Sequence, residues 1–214
     1  MTMEYFPWDA SVLPIQAPAT IAATGNTPGL DLKPYNGQIG VLLTSLNTAG
    51  TLPTLAAKLQ TAQESNLAGT ITLTGTGNGR LLQLVGKGDT VAETITVTFS
   101  SATAFSVSGS VTGAMGSGTV GTMFTSPQIS FIAYAGSTAF VNADTIAVVM
   151  SARVYTDVQN GAFTGLTTGN SVQMLALSSD TLGQYLRAAF TIGGTVSPSY
   201  AVCVSLLAMA QNAA

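Results

Sequence analysis

Four carboxylates are the residues of this chain that could perform acid–base or metal chemistry. Asp89, Glu93, Asp144 and Asp157 could pair as a general acid and base, or bind calcium in a loop. None of them belongs to a ligand-rich pattern such as alternating aspartates. We therefore expect isolated turn or surface carboxylates and predict no catalytic, cofactor-binding or metal-binding residue.

Two glycine-rich stretches superficially suggest phosphate-binding loops. They are Gly75-x-Gly77-x-Gly79 and Gly86-Lys87-Gly88. The spacing of a P-loop is not met, because Leu81 stands where a glycine is needed and Gly88 follows the lysine in place of Ser or Thr. No long helix follows that could supply an anion site. Hairpin turns are the simpler explanation of these glycines.

The remaining reactive side chains are scarce. The 214 residues include no histidine and one cysteine, Cys203, in an alternating apolar run that predicts a buried, inert thiol. No histidine is present to activate a serine, and no Gly-x-Ser-x-Gly elbow occurs. We predict that the protein is not an enzyme.

Charged residues make up only 7% of the chain, against about 25% in ordinary soluble domains. A surface so poor in charge favours association, so we expect much of it to be covered by other subunits. The alternative is a monomer kept in solution by Ser, Thr, Asn and Gln. The six basic residues lie far apart, which argues against direct nucleic-acid binding. We expect neither a signal peptide nor a membrane span.

The elements that must position these residues are β-strands. Residues 95–99 (ITVTF) and 105–111 (FSVSGSV) alternate apolar and polar side chains, as half-buried strands do. Helix signals are weak, and the best candidate, residues 55–64, also fits a strand. The pattern predicts an all-β fold of sandwich type. Further predicted strands are 39–46, 54–60, 70–74, 129–135, 145–155, 171–177, 185–192 and 199–209, with a turn at Gly116-Ser117-Gly118.

Residues 1–35 differ from the rest of the chain. They contain five of its eight prolines and Trp8, its only tryptophan. Proline is excluded from central strands, so we predict an extended arm. One interpretation is that the arm reaches a neighbouring subunit, with Tyr5, Phe6 and Trp8 as contact residues. The other is that it packs along its own domain.

Arg187 is a fourth candidate contact residue. It lies in the middle of an apolar strand pattern, where an unpaired charge would be costly. It is expected to pair with Asp180 or Asp157, or to bridge to a neighbouring chain.

Two separated segments are similar to small structural proteins of tailed bacteriophages, of jelly-roll type. The front of that family resembles residues 39–65 (IGVLLTSLNTAGTLPTLAAKLQTAQES), and its back resembles residues 155–208. The recognisable core is Tyr185-Leu186-Arg187, then Gly193-Gly194 and Ser197-Pro198-Ser199. In shorter members a Lys-Leu-Gln strand, here residues 58–60, runs almost directly into a Thr-Asp-Val-like segment, here residues 156–158.

The residues in between carry a second resemblance. Residues 74–150 look like a small β module of phage head-decoration and other virion proteins. The matching features are Gly77-Asn78-Gly79, residues 93–99, 101–105 and 118–121, Phe140 and Asp144-Thr145. Family members often have Gly where this chain has Ala143, so we expect a different backbone conformation in that turn.

Together the resemblances imply a jelly-roll-like β-sandwich base (residues 36–65 plus 154–214), an inserted small β-sandwich domain (66–153) and an N-terminal arm (1–35). They imply a non-enzymatic virion protein, a capsid decoration (cement) or minor capsid protein on the capsid surface. Its expected partners are its own copies, as a homotrimer, and other virion proteins such as the major capsid protein. A tail or fibre component, with the inserted domain binding the host, is the alternative. A secreted carbohydrate-binding module is a more remote one.

Overall fold

The computed structural model describes residues 10–35, 37–65, 67–167 and 170–209. Apart from one short 3₁₀ turn, Ser179–Thr181, its regular elements are all strands. In chain order they are β1 Ala10–Ile21, β2 Gly25–Asn26, β3 Leu30–Asp31, β4 Gln38–Ala62, β5 Ala68–Thr74, β6 Arg80–Gly86, β7 Glu93–Phe99, β8 Ala104–Gly109, β9 Gly113–Thr119, β10 Met123–Thr125, β11 Ile129–Tyr134, β12 Thr145–Met150, β13 Thr156–Ala162, β14 Ser171–Ser178 and β15 Tyr185–Met209.

The predicted all-β class is confirmed. Alternation explains it: in β7 the side chains of Ile95, Val97 and Phe99 are fully buried, and the threonines between them are not. The ambiguous residues 55–64 lie mostly in β4, where Leu55 and Leu59 point into the core. None of the described residues forms a helix long and apolar enough to cross a membrane.

The chain divides into two compact units. The base unit consists of the residues up to Glu64 together with those from Tyr155 onward, and the inserted unit is Ser65–Val154. The insertion lies between β4 and β13, and the sequence prediction for it was residues 66–153. Each unit has its own buried apolar cluster.

In the base unit, the strands belong to one antiparallel sheet built on two long strands. β4 and β15 are each 25 residues long and pair with one another, in the order β1-β15-β4-β13. β14 also pairs with β4, and β2 and β3 pair with β15. The sequence predicted two shorter strands in place of each long one.

The long pair is irregular at its midpoint. The register shifts between Gly193 and Thr195 and again before Ser199. Gly50, opposite, has a φ of 95°, and a side chain there would collide with the backbone of Pro198. The Gly and Pro signals of the sequence therefore produce bulges within continuous strands and not chain reversals.

The same sheet supplies both sides of the base core. Val41 and Leu206 from one half of the long pair, and Leu59 and Leu186 from the other, are no more than 1% exposed and belong to one cluster. No second sheet or helix of the described base residues covers them. The sheet must therefore fold over its own core, which makes the base unit a β-sandwich.

Residues 10–35 pack along their own domain, which is the second of the two interpretations that the sequence left open. β1 is an edge strand paired with β15, and Ile15 and Leu32 belong to the base core. The register of β1 shifts between Pro14 and Gln16 and between Gln16 and Ala19. Prolines are tolerated at an edge strand and at such bulges, so their presence did not exclude a strand.

The inserted unit contains two antiparallel sheets. Five strands are ordered β5-β12-β7-β8-β9, and three are ordered β10-β11-β6. Phe99, Phe105 and Phe131 are buried in the cluster formed by their apolar faces, and the Phe99 ring stacks on Phe140 with centroids 3.6 Å apart.

The turn predicted at Gly116-Ser117-Gly118 is also wrong, because these residues lie inside β9. Gly118 is paired with Phe105, and a side chain at position 118 would collide with the phenyl ring. The glycine is thus required by close packing within the sheet.

Candidate functional site

The carboxylate of Asp144 is committed to a turn of the inserted unit. It is 2% exposed and accepts hydrogen bonds from the backbone N–H groups of Thr76, Gly77 and Val141, each 2.9 Å long. These donors, Val141 first, favour the charged form and hold the pKa of Asp144 below its usual value. The side chain therefore acts as an internal cap for the Gly-rich loop.

Glu93 has the same kind of role at the other end of the sheet. Its Oε2 accepts the backbone N–H groups of Val111 and Thr112, both at 3.0 Å, and its side chain is 6% exposed. The β7–β12 register pairs Glu93 with Met150, six residues from Asp144, which is about 20 Å along the strand. The two carboxylates are therefore too far apart to act as a catalytic pair.

The Gly86-Lys87-Gly88 loop presents carbonyl oxygens inward. The buried Arg153 guanidinium donates from Nε to the Lys87 carbonyl at 2.8 Å and from Nη2 to the Gly86 carbonyl at 2.6 Å. A phosphate loop instead offers backbone N–H groups to an anion. At this loop, carbonyl groups of the chain therefore bind the cationic side chain of Arg153.

Charged residues of the base unit form a network on one half of the outer sheet surface. Asp157 accepts from Lys58 Nζ at 2.7 Å and from Gln60 Nε2 at 2.8 Å. Arg187 donates from Nε to Gln60 Oε1 at 2.9 Å and lies 3.9 Å from the centroid of the Tyr155 ring. The Lys58 and Gln60 hydrogen bonds lower the pKa of Asp157. We call this surface the polar face.

The other half of the same outer surface lacks charge altogether. Strand register aligns four strands in cross-strand rows that point away from the core. This neutral face consists of Val12 and Pro14 of β1; Ala201, Cys203, Ser205 and Leu207 of β15; Gly40, Leu42, Thr44 and Leu46 of β4; and Val172, Met174 and Ala176 of β14.

Several large apolar side chains of the neutral face are in solvent. Val172 is 70% exposed, Met174 60% and Val12 64%. The Leu207 and Met174 side chains lie next to Gly40, at ordinary contact distances of 3.5 and 3.9 Å from the position that a Cβ would take. A contiguous exposed apolar surface of this kind is typical of an interaction site.

An open depression of about 630 Å³ lies at one end of the neutral face. Its walls are mainly apolar, with two hydroxyl groups, and include Pro18, Thr20, Thr44, Leu46, Ala201 and Cys203. It lies beside the second register shift of β1, which precedes Ala19. The volume is within the range of pockets that bind ligand groups.

The candidate contact residues of the sequence fall in different places. Arg187 belongs to the polar face, where it is linked to Asp157 through Gln60. Tyr5, Phe6 and Trp8 lie outside the described residues. Cys203 is on the neutral face and only partly buried, so the prediction of a buried thiol is wrong. In the described part of the chain, no three Cys, Asp or Glu side chains gather as a metal site.

Sequence reasoning missed the neutral face, although a signal was present. Along 39–46 and 199–209, apolar or small residues occupy the outward positions as well as the inward ones, as at Leu42 and Leu207. A half-buried strand normally carries polar residues on its outward side. A strand whose outward residues are apolar, like its inward ones, can be buried on both faces.

No protein-family model matches this chain, and the search of curated proteins also returned no match.

Proposed function

We propose that the protein is a non-enzymatic virion structural protein of a tailed bacteriophage, a capsid decoration or minor capsid protein. It binds its own copies, as a cyclic trimer, and the major capsid protein of the shell. The single observation that carries the proposal is the neutral face, a four-stranded surface with exposed Val172 and Met174 and no charge. The resemblance of residues 39–65, 155–208 and 74–150 to virion proteins supplies the class of assembly.

The dimensions of the neutral face suit a subunit contact. Four strands spaced about 4.8 Å apart, each contributing seven or so residues, span roughly 19 by 23 Å. Such a patch can form the apolar centre of a standard interface, which covers about 800 Å² on each partner. Burial of apolar area stabilises the contact without ion pairs.

The chemistry of the carboxylates agrees with a structural role. Asp144 and Glu93 use their oxygens to cap backbone N–H groups, and Asp157 accepts from Lys58 and Gln60. Groups committed to holding turns and strands in this way are poorly placed to transfer protons to a substrate.

A charge on the neutral face tests the proposal. Met174→Glu should weaken self-association at least tenfold in light scattering of size-fractionated protein, because a carboxylate would be desolvated in the contact. The control is Val149→Glu, at a 50% exposed position of the inserted unit. Circular dichroism should show both variants folded. Equal association of the two variants, or a wild type that is monomeric at all concentrations, contradicts the proposal.

The location within a particle requires a second experiment. Particles produced from the genome that encodes the chain should contain the protein, with cryo-EM density on the outside of the shell around symmetry axes. Density on the tail would favour the alternative, a tail or fibre component whose inserted unit binds the host. Absence of the protein from particles would overturn both versions.

A further inference from the structure

We propose that the depression at the end of the neutral face is the receptor for residues 5–8 of a second copy of this chain, with Trp8 as the anchor. The inference rests on the proposed self-assembly and names the contact that joins one copy to the next. Its grounds are the walls of the depression, the reach of the chain and the absence of charge around the site.

Trp8 of the same molecule is too far away to occupy the depression. Ala10 pairs with Met209 at one end of β15, whereas Cys203 of the depression lies six residues along the same strand. Six strand residues span about 20 Å. Trp8 is two residues from Ala10 and its Cα can be at most about 7 Å away. Even a fully extended indole side chain then falls short, so an indole in this depression must come from another molecule.

The walls of the depression suit an indole. Pro18, Leu46 and Ala201 provide apolar surface, and the Thr20 and Thr44 hydroxyls can accept a hydrogen bond from the indole N–H. A buried tryptophan contributes 150–250 Å² of contact by the usual measure, roughly a quarter of one partner's share of a standard interface.

Charge favours a second copy over a charged partner. No charged residue occurs in β1, in β14, or in the strand segments 38–46 and 199–209 that carry the neutral face. The donor segment, Tyr5-Phe6-Pro7-Trp8, is itself uncharged and is flanked by Glu4 and Asp9. These two acids would remain at the rim in water, where no opposing carboxylate of the neutral face repels them.

The arrangement predicts a head-to-tail contact. Each copy offers its segment at one end of the neutral face and its depression at the other, so the two halves of the contact are different surfaces. Contacts of this kind close into rings when the rotation between copies permits. A cyclic trimer with three such contacts is therefore the expected product.

The chain has one tryptophan and one cysteine, which makes a site-specific crosslink feasible. One partner is the double variant Trp8→Cys, Cys203→Ser, and the other is Trp8→Phe, which retains Cys203. With copper phenanthroline as the oxidant, two thiols lose two electrons and two protons to form the disulfide. The mixture should give a covalent dimer by non-reducing electrophoresis and a peptide joining positions 8 and 203 by mass spectrometry.

The matched control places the donor cysteine elsewhere. Leu52→Cys, Cys203→Ser has its thiol at an 82% exposed position, and mixed with Trp8→Phe it should give at least tenfold less 52–203 disulfide. In wild type, Trp8 fluorescence should shift to the red on dilution, as the indole leaves the depression.

The outcomes separate this inference from the proposed function. Oligomers without the 8–203 crosslink would overturn the inference and leave self-assembly standing. A Trp8→Cys single variant that closes the disulfide within one monomer would also overturn it. Monomers at every concentration would overturn both, whereas the crosslinked dimer supports both.

Discussion

The carboxylate of Asp144 connects the Gly-rich loop to the turn that contains Val141. Its oxygens accept from Thr76 and Gly77 in the Gly-rich loop and from Val141 in the next turn. Gly75 and Gly77 leave the space that the carboxylate occupies, since a side chain at either would collide with it. The loop therefore requires both the ionised Asp144 carboxylate and glycine at positions 75 and 77.

This hydrogen bonding predicts a dependence of stability on pH. The pKa of Asp144 is lowered in the folded protein, so its contribution is present above the unfolded value of about 3.9 and is lost as pH falls through the folded value. Urea midpoints of wild type and Asp144→Asn should therefore differ most above about pH 5 and converge towards about pH 2. A constant difference across that range would contradict the assignment.

Asp157→Asn is the matched control. The pKa of Asp157 is also lowered, first by its hydrogen bond to Lys58, but the pair is 46% and 56% exposed. Its effect on the urea midpoint should be smaller and should diminish in about 1 M salt, since exposed ion pairs are screened. The Asp144 effect should persist in salt.

Ala143, next to Asp144, has a φ of 73°, a backbone conformation that glycine adopts freely. The resemblance to virion modules, which often have Gly here, led us to expect a changed turn. The structure instead places the alanine in a glycine-type conformation. Its backbone N–H donates to the Phe99 carbonyl at 2.9 Å, which ties the turn to β7.

At the scale of elements, β1 has two roles that its sequence did not indicate. It is the edge strand of the base sheet, with Ile15 in the core, and its bulged end forms one wall of the depression.

Truncation should separate these roles. Removal of residues 1–9 should leave the urea midpoint unchanged but weaken self-association. Removal of residues 1–18 should also destabilise the fold, by about 1.5–3 kcal/mol for the lost burial of Ile15 alone. Denaturation curves and light scattering of both variants provide the test. Equal stability of the two truncations would show that β1 does not belong to the base sheet.

At the scale of the whole molecule, the outer surface of the base sheet segregates its charges. The network of Lys58, Asp157 and Arg187 lies on one half of the outer base sheet, and the neutral face occupies the other half. Association through the neutral face should therefore depend on apolar burial and not on ion pairs.

Self-association should accordingly be insensitive to salt. We expect the dissociation constant to change less than threefold between about 0.05 and 1 M sodium chloride, because screening has few charges to act upon. Sedimentation or light scattering across that range measures it. A tenfold or greater weakening with salt would indicate a charged interface and contradict the assignment of the neutral face.

The sequence predicted the position of individual strands well where one face is buried and the other faces solvent, as in β7 and β8. It did not identify β1 as a strand, because prolines exclude a residue from a central strand but not from a bulged edge. It failed at Gly116-Ser117-Gly118, because the requirement for glycine comes from the Phe105 ring, which is distant in sequence. It also divided β4 and β15, since local turn signals do not distinguish a bulge from a reversal.

The sequence by itself determined the strand class, through its period-two alternation, and the scarcity of charge and of reactive side chains. Those properties depend on residue types and on neighbours along the chain. The tertiary structure decided where the few charges gather, which side of each strand is left in solvent, and which glycines make room for a carboxylate or a ring. These depend on register and on how the long pair bends, which bring together residues as far apart as Val12, Met174 and Leu207.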